Sequence, residues 1–162
     1  MNPRFTTTPC IALLVTALPL SAQTGAPPLD YMDVFELEYA SEPQVSPDGE
    51  RVVYMRNSMD VMTDRKRTAL WIVDSDGEDH RRLTYGIANE SSPRWSPDGT
   101  RLLYVSREEG GPQIFLRWMD TGQTARLTQL PSAPSGITWS PDGKWIAFSM
   151  LVAEEAPQLA KL

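Results

Sequence analysis

Ser46-Pro47-Asp48-Gly49, Ser96-Pro97-Asp98-Gly99 and Ser140-Pro141-Asp142-Gly143 are one tetrapeptide written three times, at spacings of 50 and 44 residues. Proline presets φ for the first central position of a type I turn, aspartate suits the second, and glycine accepts the positive φ with which the chain reverses. Each copy therefore predicts a tight connection between two strands, with positive φ at Gly49, Gly99 and Gly143. An aromatic ring stands five residues after each glycine, at Tyr54, Tyr104 and Phe148. The segments that carry these rings, Arg51 to Arg56, Arg101 to Ser106 and Trp145 to Met150, are apolar at successive positions, as Val52-Val53, Leu102-Leu103 and Ile146-Ala147 show. A strand apolar on both faces is covered on both faces.

Working outward, Leu70 to Asp74 and Ile114 to Asp120 read as third strands. They end in turns at Asp74 to Gly77 and Asp120 to Gly122 and lead into Arg82-Leu83-Thr84 and Arg126-Leu127-Thr128. Leu83 and Leu127 are 44 residues apart, the same interval as Ser96 and Ser140. Four short strands recurring at about 44 residues match the blade of a β-propeller, about 40 to 45 residues long. The fold class is thus all-β, a partial β-propeller with two four-stranded blades at about residues 41–84 and 91–129 and the start of a third at about 135–162. The first unit is longer, with its surplus around Ser58 to Arg67, and a short helical segment is expected near Asp30 to Glu38. Propellers close at about 4 to 8 blades. Two and a half cannot close a ring, so the expectation is the N-terminal piece of a longer polypeptide.

The chain has 162 residues, 15 Lys+Arg against 21 Asp+Glu, and one cysteine. A net charge of −6 argues against nucleic-acid binding, which needs a basic surface. Cys10 alone can form neither an internal disulfide nor a cysteine-based zinc site, and no cofactor is expected. Residues 1–22 read as an export signal: Arg4 in a positive n-region, the apolar run Ile11 to Leu20, then the small residues Ser21 and Ala22. Ten apolar residues fall short of the roughly 20 that a membrane-spanning helix needs, so no stable anchor is expected. Residues 23–40 form a lead-in segment, residues 41–162 the incomplete propeller, and the location implied is periplasmic or secreted.

The lead-in Asp33 to Ser41 (DVFELEYAS) running into Pro43-Gln44-Val45-Ser46-Pro47-Asp48-Gly49, the stretch Ser92 to Gly99 (SPRWSPDG) and Pro134 to Met150 (PSGITWSPDGKWIAFSM) resemble the start of secreted bacterial peptidases of the prolyl oligopeptidase family, relatives of acylaminoacyl-peptidases and dipeptidyl peptidases. The resemblance covers residues 30 to 152. It implies a propeller that precedes a C-terminal α/β-hydrolase domain with a Ser, Asp, His triad, serine-type hydrolysis of short peptides, and a propeller that restricts access to them. The turn motif is shared with TolB-type periplasmic propellers, so the alternative is a non-enzymatic propeller that binds envelope proteins.

The chain's own residues supply no catalytic site. No Gly-x-Ser-x-Gly occurs, so the strained turn that presents a nucleophilic serine is absent. The one histidine, His80, lies in Asp76-Gly77-Glu78-Asp79-His80 and reads as a solvated turn residue rather than a general base. Asp74, Asp76, Glu78 and Asp79 are oxygen-rich, but Gly77 is misplaced for a calcium loop, and a hairpin turn is expected. Arg65-Lys66-Arg67 beside Asp64 reads as a solvated loop. Glu108-Glu109 reads as an acidic hairpin loop, and neither it nor Glu154-Glu155 matches the paired glutamates with which dipeptidyl peptidases hold a free amine. Trp71, Trp95, Trp118 and Trp139 recur at strand positions and are expected to pack between blades. No catalytic, cofactor-binding or metal residue is assigned. N-terminal sequencing of the exported protein should begin at Gln23; a mature chain that starts at Met1 or Asn2 refutes the leader.

Overall fold

The computed structural model describes residues 28, 30–85 and 89–152. The leader and its cleavage point lie outside the described residues, as does Glu154-Glu155. A four-residue helix α1 (Asp33–Glu36) precedes ten strands: β1 (Tyr39–Val45), β2 (Arg51–Asp60), β3 (Arg65–Asp74), β4 (Arg81–Arg82), β5 (Ser91–Trp95), β6 (Arg101–Ser106), β7 (Gln113–Trp118), β8 (Thr124–Arg126), β9 (Pro134–Trp139) and β10 (Ile146–Met150). They form antiparallel sheets in the orders β1-β2-β3-β4, β5-β6-β7-β8 and β10-β9. These are two complete blades and the first half of a third.

The three turns are alike atom for atom. Gly49 N–H donates to the Ser46 carbonyl, Gly99 to Ser96 and Gly143 to Ser140, each at 2.9 Å, and the glycine φ values are 79°, 68° and 68°. In each turn the serine hydroxyl donates to the aspartate two residues on, Ser46 to Asp48, Ser96 to Asp98 and Ser140 to Asp142. The same Oγ accepts the N–H of the second residue after the turn glycine, Arg51, Arg101 or Trp145, at 2.9 Å. The aspartate in turn accepts the N–H two residues on, from Glu50, Thr100 and Lys144. These bonds stabilise the carboxylate, and the Ser96 hydroxyl with the Thr100 N–H holds Asp98 down at about 2.

A second recurrence is invisible in composition. The pairing of each blade's first two strands slips once, between Ser41 and Gln44, between Ser91 and Arg94, and opposite Ala147 and Ser149. In each slip the first strand carries one extra residue, and Glu42, Ser92 and Gly136, each four residues before the turn serine, have φ of 49°, 55° and 59°. A bulge with a left-handed residue bends and twists the strand it interrupts. Only the third copy places glycine there.

Blades meet through apolar faces and one repeated polar joint. Val53, Met55, Leu70, Ile72 and Leu83 of the first blade pack on Trp95, Leu102, Tyr104 and Phe115 of the second. Leu103, Val105, Ile114 and Leu116 on the second blade's other face meet Ile137, Trp139 and Ile146 of the third. At each joint an indole N–H reaches back to the preceding blade's first strand, Trp95 Nε1 to Gln44 O at 3.1 Å and Trp139 Nε1 to Arg94 O at 3.2 Å. The arginine that follows the preceding turn lies over the same ring, Arg51 at 5.2 Å from Trp95 and Arg101 at 4.9 Å from Trp139.

Several sequence expectations are refined. The surplus at Ser58 to Arg67 is a hairpin extension, not a loop: β2 and β3 pair without interruption out to Asp60 and Arg65, so Arg65-Lys66-Arg67 are strand residues and Arg67 is ion-paired with Asp60. The fourth strand ends earlier than Arg82-Leu83-Thr84 suggests, because the threonine hydroxyl replaces a ladder bond. Leu70 N–H donates to Thr84 Oγ1 at 2.9 Å and Ile114 N–H to Thr128 Oγ1 at 3.0 Å. Of the four tryptophans, Trp95 and Trp139 lie between blades, whereas Trp71 lies on the first blade's free face and Trp118 is partly exposed near a turn.

A Cβ built on Gly99 meets only Pro47 at 3.5 Å, so the glycine requirement is one of backbone angle rather than space. Gly99→Val should lower stability by about 1 to 3 kcal/mol through left-handed strain. Coincident thermal melts of variant and parent contradict this.

Candidate functional site

The blades place their titratable groups in two regions, neither with a catalytic arrangement. His80 is exposed yet not free. Its Nε2 lies 2.6 Å from the Tyr54 hydroxyl, and its ring sits 5.1 Å from Trp71 and 6.1 Å from Tyr54. The tyrosine and tryptophan hold the imidazole against the sheet because Tyr54 and Trp71 are direct cross-strand partners. The neighbouring Asp79 is bound to Arg81 at 2.8 Å. His80 therefore has a phenol, not a carboxylate or serine, at hydrogen-bond distance.

The acidic turn closes as a hairpin, with Gly77 N–H donating to Asp74 O at 2.9 Å and Glu78 N–H to Asp76 Oδ1 at 2.9 Å. Glu108–Gly110 form one 3-10 turn between β6 and β7. Among the described residues no group of three or more His, Cys, Asp or Glu side chains could hold a metal ion. No described helix is long and apolar enough to cross a membrane.

Sequence reasoning passed over Glu90, which lies in a cleft of about 810 Å³ beside Arg82, Tyr104, Glu108 and Arg117. Only 6% of its surface is exposed, and Oε2 is buried with no hydrogen-bond partner among the described residues. Desolvation raises its carboxyl above the ordinary glutamate range, against the opposing pull of hydrogen bonds from its own backbone and Thr84. Burial, with the Glu90 carboxylate next in weight, pushes the Tyr104 hydroxyl up to about 12. Glu90 is carried into the cleft because its backbone is clamped from the first blade: Thr68 Oγ1 donates to Glu90 O at 2.8 Å, and Asn89 Oδ1 accepts Thr68 N–H at 3.1 Å. It stands just before β5, outside the strands and turns that the repeat marks. No signal in a single sequence marks it as buried.

The second region is the first blade's outward face. A cavity of about 360 Å³ there is lined by Glu38, Arg56, Ser58, Arg67, Trp71 and Arg82, among others. Arg56 and Arg82 lie 4.4 and 5.6 Å from the Trp71 ring, and Arg56 Nε donates to Glu38 at 2.8 Å.

Antiparallel four-stranded sheets stacked face to face through repeated joints define an open portion of a β-propeller, in which, among the described residues, one edge of β10 and the outer face of the first sheet have no cover. Residues 33–159 match the family described as PD40, TolB beta propeller domain. The chain belongs to that family. Its relatives include peptidases. It is 30% identical over 123 residues to an uncharacterized peptidase, YuxL, of Bacillus subtilis, covering 75% of this chain and 19% of that protein. It is 32% identical over 105 residues to dipeptidyl-peptidase 5 of Porphyromonas endodontalis, covering 65% and 15%. Among solved structures it is similar to an acylaminoacyl peptidase in complex with Z-Gly-Gly-Phe-chloromethyl ketone, with a TM-score of 0.67 and 18% identity over 80% of this chain and 20% of that one. The chain spans about a fifth or less of the length of these relatives.

A carboxyl whose folded pKa is raised disfavours the folded state as pH climbs from its ordinary value through its raised one. Glu90→Gln removes that penalty while keeping the shape. The variant should therefore melt higher than the parent at pH 7 and close to it at pH about 3.5, where both forms are neutral. Equal melting temperatures at pH 7 contradict a desolvated Glu90 carboxylate.

Proposed function

We propose that this chain is the propeller portion of a serine peptidase that cleaves short peptides, with the triad on an α/β-hydrolase domain outside this sequence. The observation that carries the reading is the match to a peptidase over three quarters of the chain at 30% identity. The chain's own groups agree with a supporting role. The described histidine is held by tyrosine and tryptophan, Asp79 is ion-paired with Arg81, Glu90 lies in a cleft, and no nucleophile elbow is present in the sequence.

In this reading the blades form a wall that limits which peptides reach the hydrolase domain, and peptides reach the chain's partners as substrates of that domain. The leader-like residues 1–22 support a periplasmic or secreted location.

The test compares the 162-residue chain with the product of the complete reading frame on chromogenic dipeptide and acyl-amino-acid substrates. Only the complete product should turn substrate over, and a serine-directed inhibitor should abolish that activity. Inhibitor-sensitive hydrolysis by the 162-residue chain overturns the assignment of chemistry elsewhere. A complete product with neither a nucleophile elbow nor activity moves the reading to a binding propeller.

A further inference from the structure

The cleft with Glu90 lies between the first two blades, and two of its charged side chains are unmatched. Glu90 Oε2 and Arg117 Nε are each buried without a hydrogen-bond partner among the described residues, and both side chains line the same space of about 810 Å³. Buried groups of this kind cost stability and point to a missing partner. The blade itself requires neither residue. Six residues before the turn serine, where the second blade has Glu90, the first has Ala40 and the third Pro134. Three residues after the strand position whose N–H meets the threonine hydroxyl, where the second blade has Arg117, the first has Val73.

The sheet holds the two groups apart. Glu90 precedes Ser91, which pairs with Val105, so it stands at the Ser106 end of β6, whereas Arg117 pairs with Leu102 at the other end. Leu102, Tyr104 and Ser106 alternate on one face of β6, and the interval from the first to the last is about 13 Å at roughly 3.3 Å per residue. Tyr104 and Ser106 line the cleft between its acid and basic ends. Arg82, Arg107 and Glu108 line it too, and Arg82 Nη1 donates to the Tyr85 carbonyl at 3.3 Å. At Glu90 the repulsion from Glu108 outweighs the attraction of Arg82, so the acid end favours a cation.

No single ion meets both ends across that distance, and the two charges of one amino acid are too close together to do so. An extended peptide of about three or four residues has the length, at roughly 3.3 to 3.6 Å per residue. Its ammonium and carboxylate supply the donor that Glu90 lacks and the acceptor that Arg117 lacks, in charge-assisted bonds. We infer that the cleft between the first and second blades binds a short peptide with free ends, its ammonium against Glu90, its carboxylate against Arg117 and its backbone along Tyr104. The cleft holds the peptide and does not cleave it. Failure of this inference therefore leaves the peptidase reading untouched, and failure of that reading leaves the cleft and its charges as they are.

The test uses the whole chain labelled with 3-fluorotyrosine, the Tyr104 fluorine resonance being assigned with Tyr104→Phe. Trialanine is titrated with both ends free, with an acetylated N-terminus and with an amidated C-terminus, and alanine is titrated alone. Free trialanine should shift the Tyr104 resonance saturably, and blocking either end should weaken it about tenfold or more. Alanine should not saturate. Glu90→Gln should abolish the preference for a free amine and keep that for a free carboxylate, and Arg117→Gln should do the reverse. The preference each variant keeps shows that its cleft is intact, so the preference it loses reads as a lost contact. Equal binding of the free and blocked peptides, or no shift from any of them, overturns the inference. A variant that loses both preferences together overturns the assignment of separate ends, and alanine that binds as tightly as trialanine overturns it in favour of an amino-acid site.

Discussion

A serine hydroxyl held between its turn's aspartate and an N–H at the threshold of the next strand is the constraint on which the rest of this structure depends. Ser96 Oγ sits 2.5 Å from Asp98 Oδ1 and accepts Arg101 N–H at 2.9 Å, and the arrangement recurs at Ser46 and Ser140. It fixes where each second strand begins and hence which of its residues face which neighbour. A slip of one residue would exchange the two faces, because side chains alternate along a strand. In β6 that would exchange Leu102 and Tyr104, which pack on the first blade, for Leu103 and Val105, which pack on the third. The same register delivers Arg51 and Arg101 over the indoles of the next blade.

The blades then behave as a one-dimensional stack in which each face depends on a neighbour. Repeat-equivalent residues show it. Leu83 is 7% exposed because the second blade lies over it, whereas Leu127 is 43% exposed where two strands of the third blade are described. Trp145, at the position that Arg51 and Arg101 occupy in earlier blades, is 74% exposed. The middle blade is the one whose second strand is buried on both faces, as Leu102, Leu103, Tyr104 and Val105 show. What a residue does here is set less by its type than by its place in the stack.

That stacking also sets the burial of the two polar regions, which share Arg82. The cleft with Glu90 is closed by the joint between the first and second blades, so its carboxylate is desolvated. The cavity with Arg56, Arg67 and Arg82 has no such joint over it among the described residues, and Arg56 and Arg67 are ion-paired there with Glu38 and Asp60. One architecture thus makes a buried acid and a cavity of ion-paired basic groups, with Arg82 lining both.

Most of the fold was legible in the sequence because turn chemistry is local. Ser-Pro-Asp-Gly carries its own angles and hydrogen bonds, the 44-residue interval repeats through Leu83 and Leu127, and Gly49, Gly99 and Gly143 take the positive φ that their turns require. Residues whose role depends on a distant strand were not legible. The bulge uses Glu42 and Ser92 in left-handed angles that no glycine announces. Arg65 to Arg67 look like a solvated run until pairing with β2 makes them strand. Trp71 and Trp95 have the same composition and opposite surroundings, one on a free face and one in a joint. The sequence by itself determined the turns, the period and the class of fold, since these follow from a few neighbouring dihedral angles and short-range bonds. Only the tertiary structure decided that Glu90 is buried, that His80 is held by Tyr54, and that three arginines share one cavity, because burial and convergence arise when segments far apart in the chain are stacked.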